Sequence, residues 1–122
     1  MGCFNVGAKI ENTSNRSKSV VVPKLLVDTG SEYTWIPTVT LESVGIKREK
    51  KDVQFIMANG TQRTRSVGFA IIKVNENFTV DEVVFAEKGD LVLLGTRTLE
   101  GLALVVDNRK KKLVASGPLP VA

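Results

Sequence analysis

The chain has 122 residues, 43% of them apolar and 25% charged, with a formal net charge of +4, one cysteine and no histidine. That length supports one domain with a real core but not two lobes that each have their own, and no apolar stretch approaches the roughly 20 residues of a membrane span. The lone Cys3 has no partner for an internal disulfide, and without histidine any Cys-His nucleophilic chemistry is excluded.

The excess positive charge sits mainly in Lys47-Arg48-Glu49-Lys50-Lys51 and Arg109-Lys110-Lys111-Lys112, short clusters between apolar segments that read as solvated turns. A nucleic-acid partner calls for a broader basic face with interleaved stacking aromatics, which is missing, so none is expected. The start, Met1-Gly2-Cys3-Phe4-Asn5-Val6, carries neither a signal core nor a Ser/Thr at position 6 for myristoylation. The expectation is a soluble, cytoplasmic protein with no membrane contact, and the Asn-x-Ser/Thr triplets at Asn12, Asn15, Asn59 and Asn77 read as chance.

In chain order, residues 3–10 and 19–28 predict strands, the second rich in Val20, Val21, Val22, Leu25, Leu26 and Val27, joined by a polar link over 12–18. Asp28-Thr29-Gly30-Ser31 follows as a turn, then Trp35-Ile36-Pro37. The segment 38–45 predicts a short helix with Thr38 or Thr40 as N-cap and Gly45 closing it. Residues 52–58 and 64–76 flank Asn59-Gly60, a strong hairpin signal between strand-like runs. Residues 78–86 alternate as a strand, 91–94 form a buried apolar strand, and 96–102 show helical apolar spacing at Leu99 and Leu102. A last strand pair, 103–107 and 112–115, brackets the turn at Asn108-Arg109-Lys110-Lys111. Pro118 and Pro120 stop regular pairing beyond it. The fold class expected is all-β with one or two short helices.

The chemistry centres on Asp28, a single carboxylate on a turn that leaves a buried strand. Hydrolysing a peptide bond without a metal or a side-chain nucleophile takes an activated water and a proton for the leaving amine, and two carboxylates about 3 Å apart sharing one proton supply both. One chain offers one such Asp, so the second must come from a two-fold-related copy, and a monomer is expected to be inert. Gly30 permits the tight turn and close approach of two loops, Thr29 is placed to hydrogen-bond across the symmetric junction, and Ser31 to bond the outer carboxylate oxygen. A Ser31 bond to the ionised group favours its charged form, which predicts activity on the acid side. Leu93-Leu94-Gly95 forms an apolar platform beneath the turn. Tyr33, Ile56, Thr61 and Val92 are candidate groove walls. No cofactor or metal is expected.

Asp28-Thr29-Gly30-Ser31-Glu32-Tyr33-Thr34-Trp35-Ile36-Pro37 resembles the active-site segment of pepsin-like aspartic proteases, while the length and single motif resemble the retroviral type. Ala58-Asn59-Gly60 and the run from Leu94-Gly95-Thr96 through Leu99-Glu100-Gly101-Leu102 to Val106-Asp107 resemble still more closely the single-lobed retropepsin-like (clan AA) proteins of archaea and bacteria. The resemblance implies a closed, mostly β acid-protease barrel lobe that dimerises, with Ala58, Asn59 and Gly60 as the tip of a flap over an extended peptide. It implies an aspartic endopeptidase acting as a homodimer on peptide or protein substrates. The chain departs from the pattern in three ways: its flap has no tyrosine, Thr96 follows Gly95 where retroviral enzymes have arginine, and prolines crowd the C-terminus. Arg97 and Glu32 are the candidates to replace the retroviral ion pair. The rival reading is a catalytically silent peptide-binding module on the same fold, and a basic nucleic-acid adaptor is a weaker third.

Overall fold

The computed structural model describes residues 4–121; Cys3 and the rest of the extreme N-terminus lie outside the described residues. Among the described residues nine strands and two short helices follow one another: β1 (Asn5–Glu11), β2 (Ser19–Val27), β3 (Thr34–Pro37), α1 (Thr38–Ser43), β4 (Lys50–Ile56), β5 (Gln62–Val74), β6 (Asn77–Ala86), β7 (Leu93–Leu94), α2 (Thr96–Leu102), β8 (Leu104–Asp107) and β9 (Lys112–Ala115). Seven strands pair in the order β1-β2-β7-β3-β6-β5-β4, and β1 also pairs with β5. The pairings of β1, β2, β7, β3, β6 and β5 therefore close into a cycle, with β4 outside it on β5 and β8-β9 as a separate two-stranded sheet. No helix among the described residues is long and apolar enough to cross a membrane.

Alternation builds the interior. Ala8 and Ile10 of β1, Ala70, Ile72 and Val74 of β5, and Val83 and Phe85 of β6 enter the main core with Leu25, Val27, Ile36, Leu94, Leu99 and Leu102. Val84 and Ala86, the alternate residues of β6, join Trp35, Val67 and Leu93 in a second buried cluster. The end of β6 is thus covered on both faces, which explains its unbroken buried run from Glu82 to Ala86. β3, parallel to β6, is buried from Thr34 to Ile36 for the same reason. Its four residues offer no alternation of their own, so only the pairing reveals it as a strand.

Several local expectations change in detail. α1 has Pro37 at its N-cap with no side-chain cap; Thr38 lies inside the helix and donates its hydroxyl to the Ala86 carbonyl at 3.0 Å, tying α1 to β6. The strand expected over 91–94 shortens to Leu93–Leu94. α2 spans Thr96–Leu102 as expected and is closed by Ala103 in left-handed backbone (φ 57°). Asn12, at the head of one chance-type triplet, is buried, and its amide donates to the carbonyls of Val44 (2.9 Å) and Gly45 (3.2 Å) while its oxygen accepts from Ser14 and Asn15. It is an internal splice between the β1–β2 turn and the end of α1.

Candidate active site

β7 lies between β2 and β3, parallel to the first at Val27↔Leu94 and antiparallel to the second at Trp35↔Leu93. The turn from Asp28 to Tyr33 must therefore bridge two strands that are not neighbours, a gap of roughly 10 Å at ordinary strand spacing, and it does so across the end of β7. Leu94 and Gly95 emerge directly beneath it. The Asp28 amide donates to the Leu94 carbonyl at 3.1 Å, and α2 then supplies the amides of Thr96 to the Ser31 carbonyl (2.8 Å) and of Arg97 to the Glu32 carbonyl (3.1 Å). The first turn of a helix has N–H groups with no partner inside the helix. Here the turn bearing Asp28 serves as their cap, so helix and turn satisfy each other.

Gly95 is fixed by contact. A Cβ at that position would meet the Tyr33 carbonyl oxygen at 2.4 Å and that of Glu32 at 2.5 Å, so only glycine lets α2 start this close to the turn. Its amide donates to Thr34 Oγ1 at 3.0 Å. Thr98 Oγ1 donates to Asp81 Oδ2 at 2.9 Å, which leaves Thr34 as donor in the 2.6 Å Thr34–Thr98 bond. A buried relay thus runs from Gly95 through Thr34 and Thr98 to Asp81. Sequence reasoning missed it because Thr34 and Thr98 stand 64 positions apart and no local pattern joins them.

The Asp28 side chain stands at the rim, partly exposed, with Oδ1 accepting from the Gly30 amide at 2.9 Å, and Thr29 and Gly30 are exposed beside it. Gly30 does not adopt a positive φ; its small size matters because an added Cβ would stand 3.2 Å from Asp28 Oδ1. Ser31 differs from expectation. Its hydroxyl donates to the Tyr33 carbonyl at 3.1 Å, not to the carboxylate, because the bridging turn curls that carbonyl back over it. Arg97 differs too: it pairs with Glu82 at 2.9 Å and lies over the Tyr33 ring at 4.6 Å, whereas Glu32 gives it only a backbone carbonyl. Glu82 also binds Lys50, and that hydrogen bond, against the opposing effect of burial and with the charges of Lys50 and Arg97, holds its carboxyl below the usual range.

β4 and β5 form the expected hairpin, paired from Lys50↔Val67 to Ile56↔Gln62. Its tip is a three-residue loop: Gly60 N–H bonds the Met57 carbonyl (2.9 Å), Met57 N–H bonds the Thr61 carbonyl (2.8 Å), and Gly60 carries φ +86°. That is a turn closed by a left-handed glycine, reinforced by the Asn59 side chain, which accepts from the Thr61 amide and hydroxyl. Ala58, Asn59, Gly60 and Thr61 are all exposed. Ile56 is 74% exposed and points opposite to its neighbour Phe55. Phe55 makes edge contacts with Tyr33 (5.3 Å) and Trp35 (5.2 Å), joining the hairpin to the segment that follows Asp28. Tyr33 and Met57 pack partly buried on that second cluster with Leu93. Val92 instead packs on the main core and lines a pocket of about 660 Å³ with Pro37, Thr38 and Arg48. The structure therefore gathers Asp28–Tyr33, Leu93–Gly95 and the root of the hairpin.

The family model of the gag-polyprotein putative aspartyl protease matches residues 18–101, well over half of the chain, from the start of β2 through most of α2. No curated protein matches it in sequence. On a match that takes in the Asp28 turn, the hairpin and Leu93-Leu94-Gly95 together, the chain belongs to the retropepsin-like aspartyl proteases.

Proposed function

We propose that the chain is an aspartic endopeptidase that acts as a homodimer, hydrolysing peptide bonds through a water held between Asp28 of one protomer and the partner's Asp28. The observation that carries this is the placement of Asp28: its backbone is anchored to Leu94 while its carboxylate stands partly exposed at a rim beside exposed Thr29 and Gly30, which supports an approach by a second copy. In the proposed reaction the ionised carboxylate takes a proton from water as the water oxygen attacks the scissile carbonyl carbon. The protonated carboxyl gives its proton to the carbonyl oxygen. Collapse of the resulting diol breaks the C–N bond as one of its hydroxyl protons returns to the carboxylate that gave up its proton, and the proton acquired from water passes to the leaving amine, which restores the starting pair. The two carboxyls titrate as one unit. The exposed tip at Ala58-Asn59-Gly60 supports a role as a flap that covers an extended peptide, with Tyr33, Ile56 and Thr61 as candidate groove residues and Leu93, Leu94 and Gly95 as the support.

The test joins size, chemistry and ligand. The protein should sediment as a dimer, bind pepstatin, and cleave a peptide library at mildly acidic pH, and Asp28→Asn should remain folded while losing at least about a hundredfold in kcat, the scale of one general acid-base group. A folded monomer that binds peptides but cleaves none would instead establish the silent binding module.

A further inference from the structure

Two arginines on one face of β5 converge on a single carboxylate. Arg63 and Arg65, two residues apart on a strand, point the same way. Arg63 Nη1 donates to Asp90 Oδ1 at 2.6 Å, while Arg65 Nε donates to Oδ2 at 2.7 Å and Nη2 to Oδ1 at 2.9 Å. The Glu87 amide adds a bond to Oδ2 at 2.8 Å, and the Asp90 amide returns one to the Glu87 carbonyl at 2.9 Å, so the turn is locked on itself. The Asp90 side chain is only 2% exposed, and the Glu87 carboxylate, 3.7 Å from Arg65, supplies the second negative charge. A two-pronged arginine–carboxylate pair fixes orientation as well as distance. Exposed single pairs contribute little, but an enclosed one is costly to break from one side.

The position of this clamp matters more than its strength. Asp90 leads through Leu91 and Val92 into β7, whose Leu94 carbonyl receives the Asp28 amide. Arg63 is the cross-strand partner of Phe55, so both side chains leave the same face of the hairpin. At that one level β4 is held by Phe55 against Tyr33 and Trp35, and β5 by Arg63 against Asp90. Beyond it remain the pair Ile56↔Gln62, Met57, which packs partly buried on the cluster of Trp35 and Leu93, and the exposed tip at 58–61.

We propose that Asp90, with Arg63 and Arg65, is a positioning group that pins the arm of the flap to the wall of the groove, so that opening is confined to the tip beyond the Phe55–Arg63 level. Its consequence for turnover rests on the protease reading; the clamp itself does not. The experiment uses the full chain and two variants, Asp90→Asn, which keeps shape but not charge, and Arg65→Lys, which keeps charge but not the fork. Amide exchange followed by mass spectrometry should show protection at 62–65 falling roughly tenfold in both variants, with β1, β2 and β6 unchanged. Peptide cleavage should show KM raised about fivefold with kcat within about twofold, since a flap arm contacts ground state and transition state alike.

Wild-type exchange at 62–65 in a folded Asp90→Asn chain, or acceleration spread evenly over every strand, would overturn the proposal. So would Arg65→Lys behaving as wild type, which would reduce the cluster to a matter of net charge. A wild-type chain that cleaves nothing would sink the protease reading alone, while the exchange data would still decide the clamp.

Discussion

The turn that bears Asp28 and the hairpin that faces it are anchored in opposite ways. The turn is held by main-chain bonds to Leu94, Thr96 and Arg97 and by the enclosed relay through Thr34 and Thr98. The hairpin is held by side chains at its root, Phe55 on Tyr33 and Trp35 and the arginines on Asp90, and its tip bonds only within itself. A reacting group has to be kept within about 0.5 Å of its productive position. Backbone bonds inside a buried network provide that, whereas side-chain contacts along the root leave the exposed end of a hairpin freer to move. On the proposed reading, the contrast gives precision to one region and access to the other.

The most severe way to break the contrast is Gly95→Ala. The added methyl collides with two main-chain carbonyls that have no rotamer to yield, and the cost should be about 3 kcal/mol or more, at the upper end of overpacking effects. Little folded protein is expected, and a urea midpoint near that of the wild type would show that the turn is looser than described. Next comes Thr98→Val, which leaves the Thr34 hydroxyl without an acceptor and takes from Asp81 a donor, for about 2 kcal/mol. Chemical denaturation measures that loss, and Thr98→Ser should recover most of it because the hydroxyl returns.

The mildest probe is acid. Burial alone would raise the Asp90 carboxyl, but hydrogen bonds from Arg65, the Glu87 amide and Arg63 outweigh it and hold the group below its ordinary range, and Glu82 is lowered likewise. With the native value depressed, the unfolded chain binds more protons as pH falls, so this stabilisation is complete above the ordinary carboxylate value of about 4 and is lost as pH drops through the lower native values. Thermal melts should therefore hold level through mildly acidic conditions and fall below them. Asp90→Asn should flatten part of that descent, and an unchanged acid limb would show that the clamp does not titrate with folding.

Much of the local structure is legible in the sequence. The hairpin at Asn59-Gly60 was readable from turn chemistry, and α2 from the spacing of Leu99 and Leu102, because both signals are local. β3 was not, since a four-residue strand buried on both sides has no period to display. Ser31 and Arg97 stand at the turn, but within the chain they take partners other than those expected. The reason is that a hydroxyl or guanidinium takes whichever acceptor the fold brings within reach, here the Tyr33 carbonyl and the carboxylate of Glu82. The pairing of Arg63 and Arg65 with Asp90 was not read at all, because a two-residue spacing on a strand fixes only a shared face and nothing local says what that face will meet.

By itself the sequence determined where the family's motif lies and which segments would turn, because those properties depend on side-chain type and on neighbours a few positions away. Only the tertiary structure decided that β7 would slip between β2 and β3, and with it everything that anchors Asp28. That insertion depends on strands separated by some 65 residues coming into register, and the free energy selecting it comes from burial shared across the whole core, which no single segment encodes.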